Sequence, residues 1–493
     1  MGLILLPSVY LAWRYRDMAH LGTFGEDDGL YIVAAKSLAS GHGYRILSLP
    51  GEPRQQKSPI LYPLVLSLFW RIAPDFPSNA RWIMVASWCF LPVFLVLTRL
   101  LGEDCGLSGW RTWLLCAVVG LNPIALLLSL TPMAEMMFGC LVIACLMLTA
   151  RAAREPEGLG FAAAAGLTGA AAYLTRTVGI ALLPAGVVFF LFRRQYRRSF
   201  VFLAAMLPAV LAWAWWAHGA ASAAQDYSLG FYVDYAGVLK TNMTWATAPH
   251  ILLTNLSYLI QAIGGITLML PDNSALLRPV GLLIVLCYVI WWQRSGITPY
   301  NLFAAIYCMV LLVWPYPPNE RFFVPLLPIL LSAILALPFP RGGTLFAAGA
   351  LALVCLSGVG GPRFLDTYLS AQRRTGQDIE QACGWIQRTL PESARFISAY
   401  DAIIYLRTGR QGIGYRFPAT LSYMGDTAGE RLALQRLREY AMEHRMDYVL
   451  SSPAAVVSTV NGPENPIAME VVRSYFQPVF TTGSITIFRR HRP

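Results

Sequence analysis

Two stretches near the start of the chain hold the side chains best suited to chemistry. Gly25-Glu26-Asp27-Asp28-Gly29-Leu30-Tyr31 sets an acidic cluster ahead of a short helical pattern, and Gln55-Gln56-Lys57-Ser58-Pro59-Ile60-Leu61-Tyr62-Pro63 brings in a lysine about thirty residues later. An ionised carboxylate can take a proton from a hydroxyl nucleophile, and a fixed cation can hold a phosphate leaving group. Successive side chains diverge, so at most one of Asp27 and Asp28 acts as the base, while the other orients it or touches the second substrate. Both also suit a structural part, because Asp is a favoured helix N-cap and is stabilised by the helix dipole. Lys57 reads either as a phosphate ligand or as an interfacial lysine whose stem lies along apolar surface.

Three further charges stand out by position. Glu135, in Leu130-Thr131-Pro132-Met133-Ala134-Glu135-Met136-Met137-Phe138, opens an apolar helix, where a carboxylate is costly unless it has a function or serves the first helical turn. Arg321, in Pro317-Pro318-Asn319-Glu320-Arg321-Phe322-Phe323, suits a phosphate or a local pair with Glu320. Arg176, in Tyr173-Leu174-Thr175-Arg176-Thr177, lies between two apolar runs.

The elements that must position these residues belong to a membrane protein. Of 493 residues 56% are hydrophobic and only 13% charged, with a mean hydropathy of +0.51. The net charge of +11 comes mostly from arginines at the ends of apolar runs or in the tail, a pattern of membrane topology and anionic lipid and not of nucleic acid. Only Lys36, Lys57 and Lys240 are lysines. The nine cysteines lie mostly within apolar runs, without metal-ligand spacing, and read as packing residues.

After a short apolar segment at 1–13, residues 14–76 form a polar loop with two interfacial pieces. Apolar runs follow at about 81–101, 111–130, 133–150, 159–174, 178–192, 199–217, 279–292, 301–314, 322–338 and 344–360, which with the first segment makes about eleven spans. Arg193-Arg194-Gln195-Tyr196-Arg197-Arg198 marks the cytoplasmic side, and Arg151, Arg154, Arg294 and Arg341 can share it. Loop 14–76, loop 218–278 and the tail then lie outside, with 250–270 read as an interfacial or re-entrant helix. From 361 the pattern changes: strand signals at 394–400, 447–451 and 484–488 and amphipathic helix signals at 376–390 and 428–444 predict a small external α/β domain over 361–493. It carries no phosphate loop, catalytic triad spacing or Cys/His cluster.

A catalytic carboxylate outside the cytoplasm has no access to soluble nucleotide sugars or ATP, but it can use a lipid-linked donor. The acidic pair followed by Tyr31 and a helix ending near Gly41, the Lys57-Ser58-Pro59-Ile60-Leu61-Tyr62-Pro63 stretch, the Glu135 helix start and Arg321-Phe322-Phe323-Val324-Pro325-Leu326-Leu327-Pro328 together resemble the GT-C superfamily of polytopic glycosyltransferases. The branch is that of protein O-mannosyltransferases and of the bacterial aminoarabinose and galacturonic acid transferases. The resemblance implies inverting transfer of a sugar from a polyprenyl-phosphate donor to a hydroxyl of an extracytoplasmic lipid, glycan or protein, in a bacterial inner membrane. It places Asp27 as base with Asp28 in support. Lys57 and Arg321 fall near the donor phosphate, and Glu135, Arg176 and Tyr62 complete the expected substrate-binding set. Two departures stand out: the second acid is Asp28 where Glu is common, and Gln56 precedes Lys57 where aminoarabinose transferases have Glu. No cofactor is evident, although Asp27, Asp28 and Glu135 together could share a divalent cation. The rival readings are a transporter or lipid flippase, which would show internal repeats and mid-span polar breaks, and an inactive scaffold of the same fold.

Overall fold

A computed structural model describes residues 1–22, 27–218, 226–268, 274–337, 343–451 and 466–491. Most of the chain is helical, and one small sheet lies near the C-terminus. Among the described residues four helices are long and apolar enough to cross a membrane: Ala80–Asp104, Glu135–Arg154, Tyr196–Ala217 and Leu277–Ser295. A fifth candidate is the pair Trp110–Gly120 and Pro123–Leu130, bent by 55°. The bend has a local cause, since Pro123 cannot continue the ladder and the Asn122 side chain caps the second helix by accepting the N–H groups of Ile124 and Ala125. Other apolar runs fold as shorter helices, including Gly2–Arg14, Leu159–Thr175, Thr177–Phe192, Pro299–Leu312 and Leu327–Ala336. By length and apolarity the described helices therefore supply four or five spans against the eleven runs read from the sequence. Of the stretch 250–270, residues 250–268 lie in a 21-residue helix, Ala248–Leu268, which is not among the four, and 269–270 fall outside the described residues.

The elements that carry the site are these. Helix α1 (Asp27–Ala39) follows the first apolar segment. Helix α2 (Glu135–Arg154) begins with its acid and ends on Arg151 and Arg154, so charges of both signs complement its dipole. Two short helices in loop 218–278, α3 (Tyr227–Val233) and α4 (Tyr235–Asn242), are each started by an aspartate: Asp226 accepts the Leu229 N–H, and Asp234 accepts the Gly237 N–H. Helix α5 (Gly343–Thr389) has 47 residues, roughly 70 Å at 1.5 Å per residue. The predicted boundary at 361 falls inside it, and the helix signal at 376–390 is its last part. Helix α6 (Asp401–Thr408) follows in the C-terminal region.

Five strands, β1 (Phe396–Ile397), β2 (Gly412–Ile413), β3 (Tyr448–Ser451), β4 (Phe476–Thr482) and β5 (Ile485–Arg490), form a mixed sheet in the order β2-β1-β3-β5-β4. β1 is parallel to β2 and β3, whereas β5 is antiparallel to β3 and β4. The domain's core is shared with the first loop: Leu30, Ile32, Ile46 and Leu49 pack in one cluster with Ile397, Ala402, Ile404 and Ile413. The backbone joins them too, since the Gly412 N–H donates to the Ser48 carbonyl at 2.9 Å. At Gly376 the long helix meets the chain after the first apolar segment so closely that a Cβ would stand 1.7 Å from the Ala19 carbonyl oxygen.

Candidate active site

The sequence-predicted charges converge on one cavity of about 550 Å³, lined by Asp27 and Tyr31 of α1, by Lys57, by Arg176 and by Arg321. Its other walls are mainly aromatic and aliphatic: Phe231, Tyr235, Leu311, Trp314, Tyr316 and Phe322. These side chains come from segments far apart in sequence, so the cavity exists only after the helical body, loops 14–76 and 218–278 and the C-terminal region have packed.

Asp27 opens α1, and its Oδ2 accepts a hydrogen bond from Arg321 Nη1 at 3.0 Å, with side chains 30% and 20% exposed. Burial pushes the Asp27 carboxyl up, but the Arg321 guanidinium, aided by Lys57 and Arg176, outweighs it and holds the acid below its ordinary value. Arg321 also reaches towards Glu135, with Nε 3.9 Å from Oε1. Glu135, only 1% exposed, forms an ion pair with Arg176. The result is a chain of alternating charge, Asp27, Arg321, Glu135, Arg176, whose two guanidinium groups both lie over Phe322 at 5.1 and 5.3 Å from the ring centroid. Glu135 does not line the cavity; it stands behind the two arginines that do.

Asp28 also does not line the cavity. It is fully buried, and its carboxylate accepts the backbone N–H groups of Gly22 at 2.9 Å and Gly29 at 2.8 Å. The bond to Gly22 ties the start of α1 to the preceding loop. Gly29 is needed beside it, because a Cβ there would stand 2.8 Å from the Ala402 Cβ of α6. The C-terminal domain thus presses directly on the turn that presents Asp27.

Lys57 is 7% exposed, with Nζ 3.9 Å from the Phe231 ring centroid and 5.5 Å from that of Tyr235. An interfacial lysine reaching for water would not be so enclosed. The Gln55 side chain sets the bend by accepting the N–H groups of Lys57 and Ser58 at 3.1 and 3.3 Å. Gln56 donates to the Trp216 carbonyl at 2.8 Å and the Trp216 indole donates back to the Gln55 carbonyl at 2.9 Å, so Gln56 anchors this loop to the helical body. Tyr62 is buried away from the cavity, sharing a hydrogen bond with Ser87 at 2.8 Å and meeting the Tyr31 ring edge-on at 5.2 Å. It props Tyr31 from behind. Burial pushes the phenols of Tyr31 and Tyr235 up, so both stay protonated and face the cavity as hydrogen-bond donors.

Among the described residues no three His, Cys, Asp or Glu side chains come together as metal ligands: Asp28 turns to backbone N–H groups, while Arg321 stands between Asp27 and Glu135. A cation shared by those three carboxylates does not fit this arrangement. Sequence reasoning missed Phe231, Tyr235, Trp314 and Tyr316, and also Arg416, a residue of the C-terminal domain that lines the same cavity. Tyr316 lies five residues before Arg321, and the aspartates that start α3 and α4 mark structured pieces of loop 218–278; nothing local marks Arg416.

No family profile and no curated protein matches this sequence. Solved structures do match in fold. ArnT from Cupriavidus metallidurans superposes with a TM-score of 0.54 in the apo state and 0.53 bound to undecaprenyl phosphate, each over 97% of both chains at 13% identity. The archaeal oligosaccharyltransferase AglB from Archaeoglobus fulgidus, in complex with an inhibitory peptide and a dolichol-phosphate, matches 86% of this chain and 65% of its own at 11% identity, with a TM-score of 0.51. The chain has the GT-C fold.

Proposed function

We propose that this GT-C-fold protein is a membrane glycosyltransferase that moves a sugar from a polyprenyl-phosphate carrier to a hydroxyl group of an extracytoplasmic lipid, glycan or protein, with inversion. The observation that carries the reading is one carboxylate, Asp27, facing a cavity together with Lys57, Arg176, Arg321 and Arg416 and otherwise walled mainly by apolar and aromatic side chains. That pairing suits a proton acceptor beside a phosphate leaving group, with room for a lipid chain. In the forward step the acceptor oxygen bonds to the anomeric carbon as its proton passes to Asp27. The bond from that carbon to the phosphate oxygen breaks, and the electron pair leaves on the polyprenyl phosphate, where Lys57 and the guanidinium groups offset the charge. Arg321 has two partners to choose between. While it holds Asp27 it weakens that base, and a donor phosphate that draws the guanidinium away restores basicity where it is needed.

The charges along α2 support a choice of membrane side. Glu135 at its first residue belongs to the cavity end, whereas Arg151 and Arg154 close the opposite end of this 20-residue helix. Arg198 donates to the carbonyls of Ala153, Glu155 and Pro156, so the arginine-rich turn also sits at that far end. The positive-inside tendency assigns it to the cytoplasm and the cavity to the outer side of a bacterial inner membrane. The likeness in fold to ArnT, which binds undecaprenyl phosphate, supports the choice of donor class.

The test is transfer of radiolabelled sugar by membranes carrying wild type or Asp27→Asn at equal level, offered a panel of polyprenyl-phosphate sugars and host lipid extract. Transfer by wild type from one donor and its loss in the variant is the expected result. Equal transfer by the two would remove Asp27 from the base role, and no transfer from any donor would remove the transferase reading itself.

A further inference from the structure

The C-terminal domain supplies a charged side chain to the cavity, and its placement is built. Arg416 lies three residues past β2, in a segment held against α3 by three hydrogen bonds. The Arg416 N–H donates to Ser228 Oγ at 2.8 Å, and Ser228 Oγ donates to the Arg416 carbonyl at 3.2 Å, so a buried serine clasps both backbone groups of that residue. Two residues earlier the Gly414 N–H donates to the Tyr232 hydroxyl at 3.0 Å, and Tyr232 donates in turn to the buried carboxylate of Asp401 at 3.0 Å. Side chains alternate along such a segment. Tyr415 turns into its own domain, 7% exposed and donating to the Ala433 carbonyl at 2.6 Å, while Arg416 turns to the cavity. There its guanidinium lies 4.4 Å from the Phe231 ring centroid, the ring that also carries Lys57 at 3.9 Å.

The cavity's cations thus form two groups, each gathered on one aromatic ring: Arg176 and Arg321 at Phe322, Lys57 and Arg416 at Phe231. We infer that Arg416 is a substrate-contacting residue supplied by the C-terminal domain, and that it binds an anionic group, a phosphate or carboxylate, carried by one of the two substrates. Arginine offers a planar fork that matches such a group in a bidentate manner, and a backbone clasped at both its donor and its acceptor aims the fork. The group belongs either to the acceptor, next to its reacting hydroxyl, or to the donor carrier beyond the phosphate held near Arg321. Ser228 is a positioning residue on this account. The identity of the substrates rests on the transferase reading above.

The test uses the full chain in lipid nanodiscs, the labelled donor that wild type turns over and the lipid-extract fraction it labels. Arg416→Gln is expected to raise KM for one substrate about tenfold while leaving KM for the other and the thermal midpoint near wild type. Arg416→Lys, which keeps the charge but loses the fork, is expected to raise the same KM about threefold, and Ser228→Ala to raise it with kcat little changed. A rise confined to acceptor KM assigns the anion to the acceptor, and one confined to donor KM assigns it to the carrier. Unchanged KM values in Arg416→Gln overturn the inference; if that variant is lost from the membrane, unchanged KM values in Arg416→Lys overturn it equally. Should wild type transfer nothing from any donor, the transferase reading fails separately. The Arg416 site is then read from the thermal midpoint in millimolar inorganic phosphate: a rise in wild type that shrinks in Arg416→Gln supports it, and equal rises in the two overturn it.

Discussion

At the scale of single residues the site is a question of which charge holds which. Asp27 is the carboxylate on the cavity wall, and its replacement by Asn is expected to lower transfer about 10²- to 10⁴-fold, the usual worth of a general base, with protein level unchanged on immunoblot. The direction of its pH dependence follows from its neighbours. Arg321 leads the lowering of the Asp27 carboxyl against the upward push of burial, so the acid limb of kcat/KM for wild type is expected below the ordinary carboxylate range. Removing that cation in Arg321→Gln lets burial prevail, and the limb is expected to move to higher pH. A limb that stays in place or moves down would separate Asp27 from the titration. Glu135 acts one step further back. Glu135→Gln takes the buried partner from Arg176, a kind of change that costs about 3–5 kcal/mol, and both stability and donor KM are expected to suffer. An isolated loss of kcat at full stability would instead place Glu135 in contact with the reacting sugar.

At the scale of elements, the decisive contact is α1 against α6. Asp27 sits in the first turn of α1, and two residues later Gly29 lies under Ala402 with no space for a Cβ. Gly29→Val is therefore expected to destabilise by about 1–3 kcal/mol through overpacking and to lower transfer, because the helix that carries Asp27 must shift. The companion change Ala402→Gly clears the nearest obstructing atom, so the double variant should recover thermal midpoint and activity together. Recovery of neither would mean that Gly29 is needed for a reason other than this contact. The same logic explains why α3 and α4 are helices at all. Their aspartate caps let two short segments hold shape, and that shape delivers Phe231 and Tyr235 to the cavity.

At the scale of the whole molecule, the first loop and the C-terminal region share one hydrophobic core, so that region is built into the body that carries the cavity and is not an appendage. A chain ended before β1 would leave Leu30, Ile32, Ile46 and Leu49 without cover, and limited proteolysis is expected to cut such a protein within 14–76 where wild type resists. The topology is testable with cysteines placed at each end of the helical body in a background without native thiols. A membrane-impermeant maleimide is expected to reach Asp426→Cys in intact spheroplasts and Arg197→Cys only after permeabilisation. Labelling in the reverse order would put the cavity in the cytoplasm and bring soluble sugar donors back into play.

The sequence by itself determined a great deal here, because the signals were local. Apolar runs and terminal arginines show that the chain is built for a membrane. The Asp27, Lys57, Glu135 and Arg321 stretches, in order, carried the resemblance to GT-C proteins that the superpositions bear out in fold. Strand and helix signals after 361 revealed a sheet-containing region, although β2 and β4 escaped notice and the boundary fell within a single helix. What tertiary structure decided is every relation between distant segments. Adjacent Asp27 and Asp28 are equivalent by composition, yet the fold turns one to the cavity and seals the other onto backbone N–H groups. Arg321 next to Glu135, Lys57 on Phe231 and Arg416 in the same chamber are contacts between residues up to several hundred positions apart. No periodicity or local propensity encodes such pairs; they arise because packing α1, the external loop and the sheet together buries more apolar surface than any of them can bury alone.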